Sequence, residues 1–483
     1  MQARNGLTPA LALDHVILLI VRRLYFPRDV VAFLSVLPSL DAPLAALLWL
    51  LTSSLPFKKR WPMPALEKLG PQHMSLAFAA LPVIPSIQIR SLGAFQRALG
   101  GRYDNLGAFA AAWPHAIASI TQDVDRSNLV VFRSLFQHCS QLGDVSIDAD
   151  LFANVLPSLP SSVRHVSIYH DTAADEDTGV VWRLATPLQA WLSTGRKKKS
   201  VTIRCALALD DAAAVANVLA TASSLSALDM QSSELVDALV ASERSLPHLT
   251  RFTISHPSVN MAIQLLARLD LATLTRLDVQ TMVDDLGELL PLLSTMPRLQ
   301  ELRLSYGRLC KTSLALANAT PRLRELTLNG VLVASDDALE ELLQWTCGLQ
   351  QLRSVACDGM RFDGTDLSIL QSALNHWINA SGVTDVCLSD CKLGREGVNM
   401  VAAVLEASPR SSALERLDLR SNGIDLGSVR TLTSAAAHLV DTRIILGMLT
   451  ETYDAITSVA ELACGTHIVH QQGRGYILYS PQT

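Results

Sequence analysis

Six residues starting at Leu414, LERLDL, carry apolar side chains at the first, fourth and sixth places, and this spacing returns along the chain. Clear copies stand at Leu274 (LTRLDV), Leu299 (LQELRL), Leu323 (LRELTL) and Val383 (VTDVCL). Weaker copies start at Leu142, Val163, Leu225, Leu249 and Leu352, and degenerate ones lie at Ile84 and around Val201. From Leu225 onward the starts are 24, 25, 25, 24, 29, 31 and 31 residues apart. Chance alternation does not keep such a period, which is that of stacked units forming a solenoid.

Each unit has a physical reading. Period-two alternation makes a short strand whose apolar side faces the interior while the intervening residues share one outward face. Between strands the period becomes helical. In ASDDALEELLQW, Ser335 is placed to cap a helix, Asp336 and Asp337 complement its positive end, and Leu339, Leu342, Leu343 and Trp345 form the inward stripe. TDLSILQSALNHWI repeats the arrangement with Leu367, Leu370, Leu374 and Trp377. The expected fold is therefore α/β, a curved solenoid with parallel strands on its concave side and helices on its convex side. Leu302, Leu326 and Leu417 are predicted core residues.

After two strands the turn carries a further signature, Cys391 three residues past Leu388 and Asn422 three past Leu419. The stretch from Ile84 to Leu439 thereby resembles leucine-rich repeats, of the ribonuclease-inhibitor-like type in its C-terminal half. Earlier copies put Val331, Met282 or Ser233 at the Asn/Cys position. A buried Asn422 is expected to bond the backbone of its own turn and of its neighbour.

Upstream of the repeats, HVILLIVRRLYFPRDVVAFLSV reads as two short helices separated at Tyr25-Phe26-Pro27, with Asp29 near the second start. It resembles an F-box through Val16, Ile17, Ile20, Leu24, Asp29, Val30 and Val36. That resemblance implies a Skp-type adaptor bound through Val16, Ile20, Leu24 and Val30, with a cullin behind it. Leu13, His15 and Leu40 depart from the motif, and a helical cap over the first coil is the alternative, since an open solenoid end needs cover. At the far end THIVHQQGRGYILYS reads as a hairpin.

The organisation expected is an F-box-like unit over 8–60, a linker over 61–83 and a solenoid over 84–440 with an insertion at about 171–199. A cap with its hairpin fills 441–483. The insertion opens acidic and ends on Arg196, Lys197, Lys198 and Lys199, a run expected to be a solvated loop end.

Hydrophobic residues make up 49% of the 483, enough for a fully folded chain, and a net charge of −5 disfavours nucleic acid as a partner. No apolar run reaches the length of a membrane span, and Asp14 and His15 interrupt any export-signal core. Eight scattered cysteines without a CxxC pair point to a reducing, cytoplasmic or nuclear setting. His467/His470 and His165/His170 lie on opposite faces of their strands, and neither GxSxG nor HExxH occurs. No enzyme, cofactor or metal is therefore expected.

Function is expected on the outward strand face instead. Its residues include Arg276, Asp278 and Gln280, then Glu301 and Arg303, then Glu325 and Thr327, then Arg416, Asp418 and Arg420. These charges either pair across neighbouring strands or match one protein target. Combined with the F-box resemblance, the implied function is that of a substrate receptor of a cullin-type ubiquitin ligase, monomeric outside its complex. A repeat scaffold or inhibitor with no ligase link remains beside it.

Overall fold

The structure is a computed structural model, which describes residues 9–480 except 54, 59–60, 171–180, 195–198, 256, 282–283, 311–321, 363, 381, 410–411, 448–455, 457–466 and 472–474. Met282, Arg196, Lys197, Lys198 and the acidic opening of the insertion lie outside the described residues. The chain divides into two compact units, residues 1–218 and 219–483.

The first unit begins with helices Pro9–Arg23, Pro27–Ser35 and Ala42–Thr52. The first break falls where the sequence places it. Phe26, restricted by the following proline, is extended, and Pro27 opens the next helix, where its missing N–H is no loss. Asp41 caps the third helix, accepting from the Leu44 N–H at 3.0 Å. Leu44, Leu47, Leu50 and Leu51 of that helix are buried, packing against the helix Met74–Ala80. Residues 61–83, read as a linker, thus hold a helix and also Trp61, whose indole N–H donates to the Leu24 carbonyl at 2.7 Å.

Five strands follow, Ile87–Ile89, Ile117–Ile120, Asp144–Asp148, His165–Tyr169 and Lys199–Arg204, each parallel to the next. The sequence pattern had missed Ile117–Ile120. It follows WPHA rather than a leading leucine, so its two inward isoleucines stand without the first member of the triplet.

Among the described residues of the second unit, nine strands of the main sheet are parallel and run in chain order: Leu225–Met230, Arg251–Ser255, Arg276–Gln280, Glu301–Ser305, Glu325–Asn329, Ser354–Ala356, Asp385–Cys387, Arg416–Asp418 and Arg443–Gly447. Their register places one apolar residue per coil in a continuous row: Leu277, Leu302, Leu326, Val355, Val386, Leu417 and Ile444, all buried. Adjacent members sit one strand spacing apart, so each coil covers the core of the next. The parallel run extends one strand further than expected, because Asp441 holds the place of the leading leucine before Arg443–Gly447 and hides that copy. The terminal strands His467–Gln471 and Gly475–Tyr479 form the expected antiparallel pair, and Gly475–Tyr479 also pairs antiparallel with Arg443–Gly447.

The outer wall explains why the period lengthens. The 24- and 25-residue coils after Leu225 and Leu249 carry helices of 10 and 8 residues, Ser233–Ser242 and Val259–Leu266. Later coils carry longer ones, Asp336–Cys347, Leu367–Asn379, Gly394–Glu406 and Leu426–Ala436. In the coil that starts at Leu274 the expected helix is replaced by 3-10 turns, Leu286–Glu288 and Leu290–Thr295. Pro291 cannot donate inside an α-helix, so the tighter turns take its place. Ser335 caps its helix as read, accepting from the Ala338 N–H at 3.2 Å.

The turn leaving the strand is a repeated backbone device. Two residues past the last inward apolar position, Tyr306, Gly330, Gly359, Asp390 and Ser421 adopt φ of 64°, 60°, 69°, 53° and 60°. This left-handed step, costly for side-chain-bearing residues, is followed in the last four coils by a buried residue: Val331, Met360, Cys391 and Asn422. Asn422 closes two turns at once. Its amide donates to the carbonyls of Leu388 at 2.6 Å and Leu419 at 3.0 Å, and its Oδ1 accepts from the N–H groups of Cys391 at 3.0 Å and Leu393 at 3.3 Å. Asn422→Leu fills the space but leaves these groups unpaired, and should cost about 1–3 kcal/mol in urea unfolding. An unchanged midpoint would show that water replaces the side chain at no cost.

Candidate functional site

Two surfaces carry the residues singled out from the sequence. The first is the outward strand face of the second unit. Alternation sends Arg276, Asp278 and Gln280 outward from one strand and Glu301 and Arg303 from the next, and the parallel register sets Arg276 beside Glu301 and Asp278 beside Arg303. The ion pairs follow, with Arg276 Nη1 3.1 Å from Glu301 Oε2 and Arg303 Nη1 3.7 Å from Asp278 Oδ2. Gln280 links the row, accepting from the Ser255 hydroxyl at 3.2 Å and donating to Asp278 at 3.4 Å.

Asp278 and Asp418 are not solvated as a surface reading requires; both are buried beneath longer neighbours. Burial pushes the Asp278 carboxyl up, and Arg303 together with the Gln280 amide works against that rise. Asp418 is enclosed within its own strand and turn. Arg416 Nη2 lies 3.0 Å from one carboxylate oxygen, and Arg420 Nε donates to the other at 2.8 Å. That hydrogen bond holds the Arg420 guanidinium above its ordinary value. Glu325 and Arg303 are exposed, while Arg276, Gln280, Glu301, Arg416 and Arg420 are half-buried.

Between these groups the face is recessed. A cavity of about 340 Å³ is floored by the small side chains of Thr327, Ser354, Ala356 and Cys387, with Arg303 and Arg416 at its sides. The alternation rule places Ser354 and Ala356 outward, but nothing in composition announces a depression, which arises from small residues meeting in register on adjacent strands. The Cys387 thiol lines this cavity. Burial pushes Cys357 up to about 12 and raises Cys387 and Cys391, whose Sγ donates to the Cys357 carbonyl at 2.8 Å. Among the described residues no three of His, Cys, Asp or Glu form a cluster that could hold a metal ion.

The second surface is the outer side of the first helices. Ile17 and Val21 are buried, and Val16, Leu19 and Ile20, at i, i+3 and i+4, lie together on an exposed side, 48%, 49% and 37% accessible. Tyr25, Phe26 and Val36 are also exposed. Of the four expected adaptor contacts, Val16 and Ile20 are therefore open and Leu24 is half-buried. Val30 is fully buried, turned inward with Leu34 by the helix Pro27–Ser35. Leu19 was missed, although its spacing from Val16 puts it on the same side.

Lys199 also departs from expectation. Instead of ending a solvated run it is 4% exposed, sharing the inward side of its strand with Val201 and Ile203. Its Nζ donates to the Trp191 carbonyl and, at 2.8 Å, to the Thr194 hydroxyl, and lies 4.5 Å from the Trp191 ring centre. Burial lowers its pKa to about 8.

No family model matches the chain. Leucine-rich repeat-containing protein 73 of Rattus norvegicus and that of Homo sapiens are each 29% identical to it over 141 residues, 29% of this chain and 42% of the relative. The match thus spans about two-fifths of the length of those relatives. Among solved structures, an internalin (inlF) from Listeria monocytogenes is similar with a TM-score of 0.36 and 14% identity, over 70% of this chain and 80% of that one. The yeast Rad7 and Elc1 complex gives 0.41 and 11%, over 77% and 84%. The leucine-rich repeat-containing protein LegL7 from Legionella pneumophila gives 0.24 and 14%, over 72% and 81%. Successive parallel strands, each returned by a helix or turn, give each unit the architecture of leucine-rich repeats.

Proposed function

We propose that the chain is a two-surface protein-binding scaffold, which holds a protein target on the outward strand face and a Skp-type adaptor on the first helices, in the manner of a substrate receptor of a cullin-type ubiquitin ligase. The observation that carries the adaptor half is the apolar side of the first helix. Val16, Leu19 and Ile20 stand exposed although Ile17 and Val21 already supply a buried face, and contiguous exposed apolar groups mark interaction sites. The target half rests on a charged face fixed by Arg276–Glu301 and Arg303–Asp278, where rigid charges supply steering and specificity.

A cap without ligase function is favoured by a different observation. The helix Ala42–Thr52 is buried along most of its length against Met74–Ala80, so the N-terminal helices also complete the core of the first unit. Titration of a purified Skp-type adaptor into the full chain separates the readings. Ile20→Asp, at an exposed position, is expected to leave the melting curve unchanged and to weaken adaptor binding at least about tenfold, because the new carboxylate is buried unpaired in the complex. An intact chain with no measurable adaptor affinity leaves only the cap.

A further inference from the structure

The recess on the strand face of the second unit carries charges that the fold itself does not balance. Arg303 and Arg416 at its sides each have an acidic partner, Asp278 at 3.7 Å and Asp418 at 3.0 Å. Arg420, close enough to feel the Asp358 charge, is held by the same Asp418. The two carboxylates that line the recess have no such match. Among the described residues no hydrogen bond or ion pair reaches the Asp358 side chain, and the Asp385 side chain accepts only from the Thr384 hydroxyl, at 3.0 Å. Both are half-buried, so each has given up part of its water. Glu325, exposed and beside the lining residue Ser354 in register, adds a third negative charge. The register also sets the spacing. Asp385 lies opposite Ser354, and Asp358 follows Ser354 by four residues, so the two carboxylates stand at opposite ends of the recess, roughly 13 Å apart along the strand direction.

We propose that the recess holds an extended basic segment of the target protein, with arginine or lysine side chains four residues apart, one at Asp358 and one at Asp385, and small side chains between them over the floor. This rests on the reading of the strand face as the target's site. Four residues of extended chain span the distance between the carboxylates, and side chains at i and i+4 share one side of such a chain. A segment lying along the strands therefore brings one cation to each end, whereas a single basic group cannot reach both. The floor admits it because Thr327, Ser354, Ala356 and Cys387 are small. An acidic segment would meet both carboxylates and find the arginines already engaged.

The test is fluorescence anisotropy of the full chain titrated into two labelled, C-terminally amidated peptides, Arg-Gly-Ser-Gly-Arg and Glu-Gly-Ser-Gly-Glu. The basic peptide is expected to bind at least about tenfold more tightly than the acidic one. Asp358→Asn with Asp385→Asn should weaken it at least about fivefold. Asp336→Asn with Asp337→Asn, the same change of charge on the outer helix Asp336–Cys347, should leave it within about twofold. Ala356→Leu, which raises the floor, should weaken it as well. Equal binding of the two peptides overturns the proposal, as does failure of the basic peptide to bind or a basic preference that survives in a folded Asp358→Asn, Asp385→Asn variant. Tighter binding of the acidic peptide, lost in Ala356→Leu, also overturns it but keeps the strand face as the target's site. A folded Ala356→Leu that binds both peptides as the wild type does takes the strand-face reading down with it. Should the leucine variant fail to fold, the two asparagine pairs still decide.

Discussion

Trp377→Ala is expected to destabilise the second unit by about 3–5 kcal/mol, the loss typical of a large aromatic side chain removed from a closed core. Trp377 is fully buried on the helix Leu367–Asn379, and its indole N–H donates to the Thr346 hydroxyl at 3.1 Å on the preceding helix, Asp336–Cys347. Thr346 in turn donates to the Leu343 carbonyl at 2.6 Å. The ring therefore joins two coils both by area and by a polar link. Truncation leaves a cavity and takes away the hydrogen-bond donor at Thr346. Trp377→Phe, which restores most of the area but not the donor, should recover more than half of the loss. Urea unfolding of the three proteins measures both steps. If Trp377→Ala unfolds within 1 kcal/mol of wild type, roughly the scatter among ordinary substitutions, the two helices are not coupled through this ring.

A second large effect is expected at Asp418. Its carboxylate is fully buried, and Arg416 and Arg420 are its charge partners. Truncating the arginines to alanine would simply let water in. Arg416→Met with Arg420→Met keeps the cover and removes the charge, stranding a buried carboxylate. The loss should be about 3 kcal/mol, at the lower end for a broken buried pair because both arginines are partly exposed. Adding Asp418→Leu should return most of it, since an apolar trio in place of an ion cluster is often neutral or better. A triple variant no more stable than the double would mean that the arginines act by packing alone.

These two sites show what the sequence made legible. Trp377 could be assigned to the core from the helical period alone, because 370, 374 and 377 fall on one stripe. The inward leucines were equally plain, since strand alternation and an even interval leave one register. Strands at Ile117 and Arg443 escaped for the same physical reason: their inward residues are apolar, but the leading leucine that advertises a copy is absent. Asp418 could be placed on the outward face but not recognised as buried. Its burial depends on how far Arg416 and Arg420 reach, a matter of side-chain length and geometry rather than of period. Val30 and Leu19 failed in opposite senses, because a short amphipathic helix announces two apolar sides and only the packed neighbours decide which is covered. Lys199 was hidden by its company. A basic run reads as solvated, whereas the strand that starts at its last member turns that one side chain inward.

The left-handed step at Tyr306, Gly330, Gly359, Asp390 and Ser421 separates two demands that usually compete at a single residue. Chain direction is set there by backbone torsion, whichever side chain the residue bears, and the next residue supplies the buried contact in the later coils. At the step itself Tyr306, Asp390 and Ser421 are exposed. Where selection needs only a stable coil, glycine is the least strained occupant; where it needs a contact, a side chain can be displayed for about 1 kcal/mol of backbone strain without disturbing the stack. The turns are thus places where new specificity can be tried at a fixed and small cost, and an aromatic ring, a carboxylate and a hydroxyl already occupy three of them.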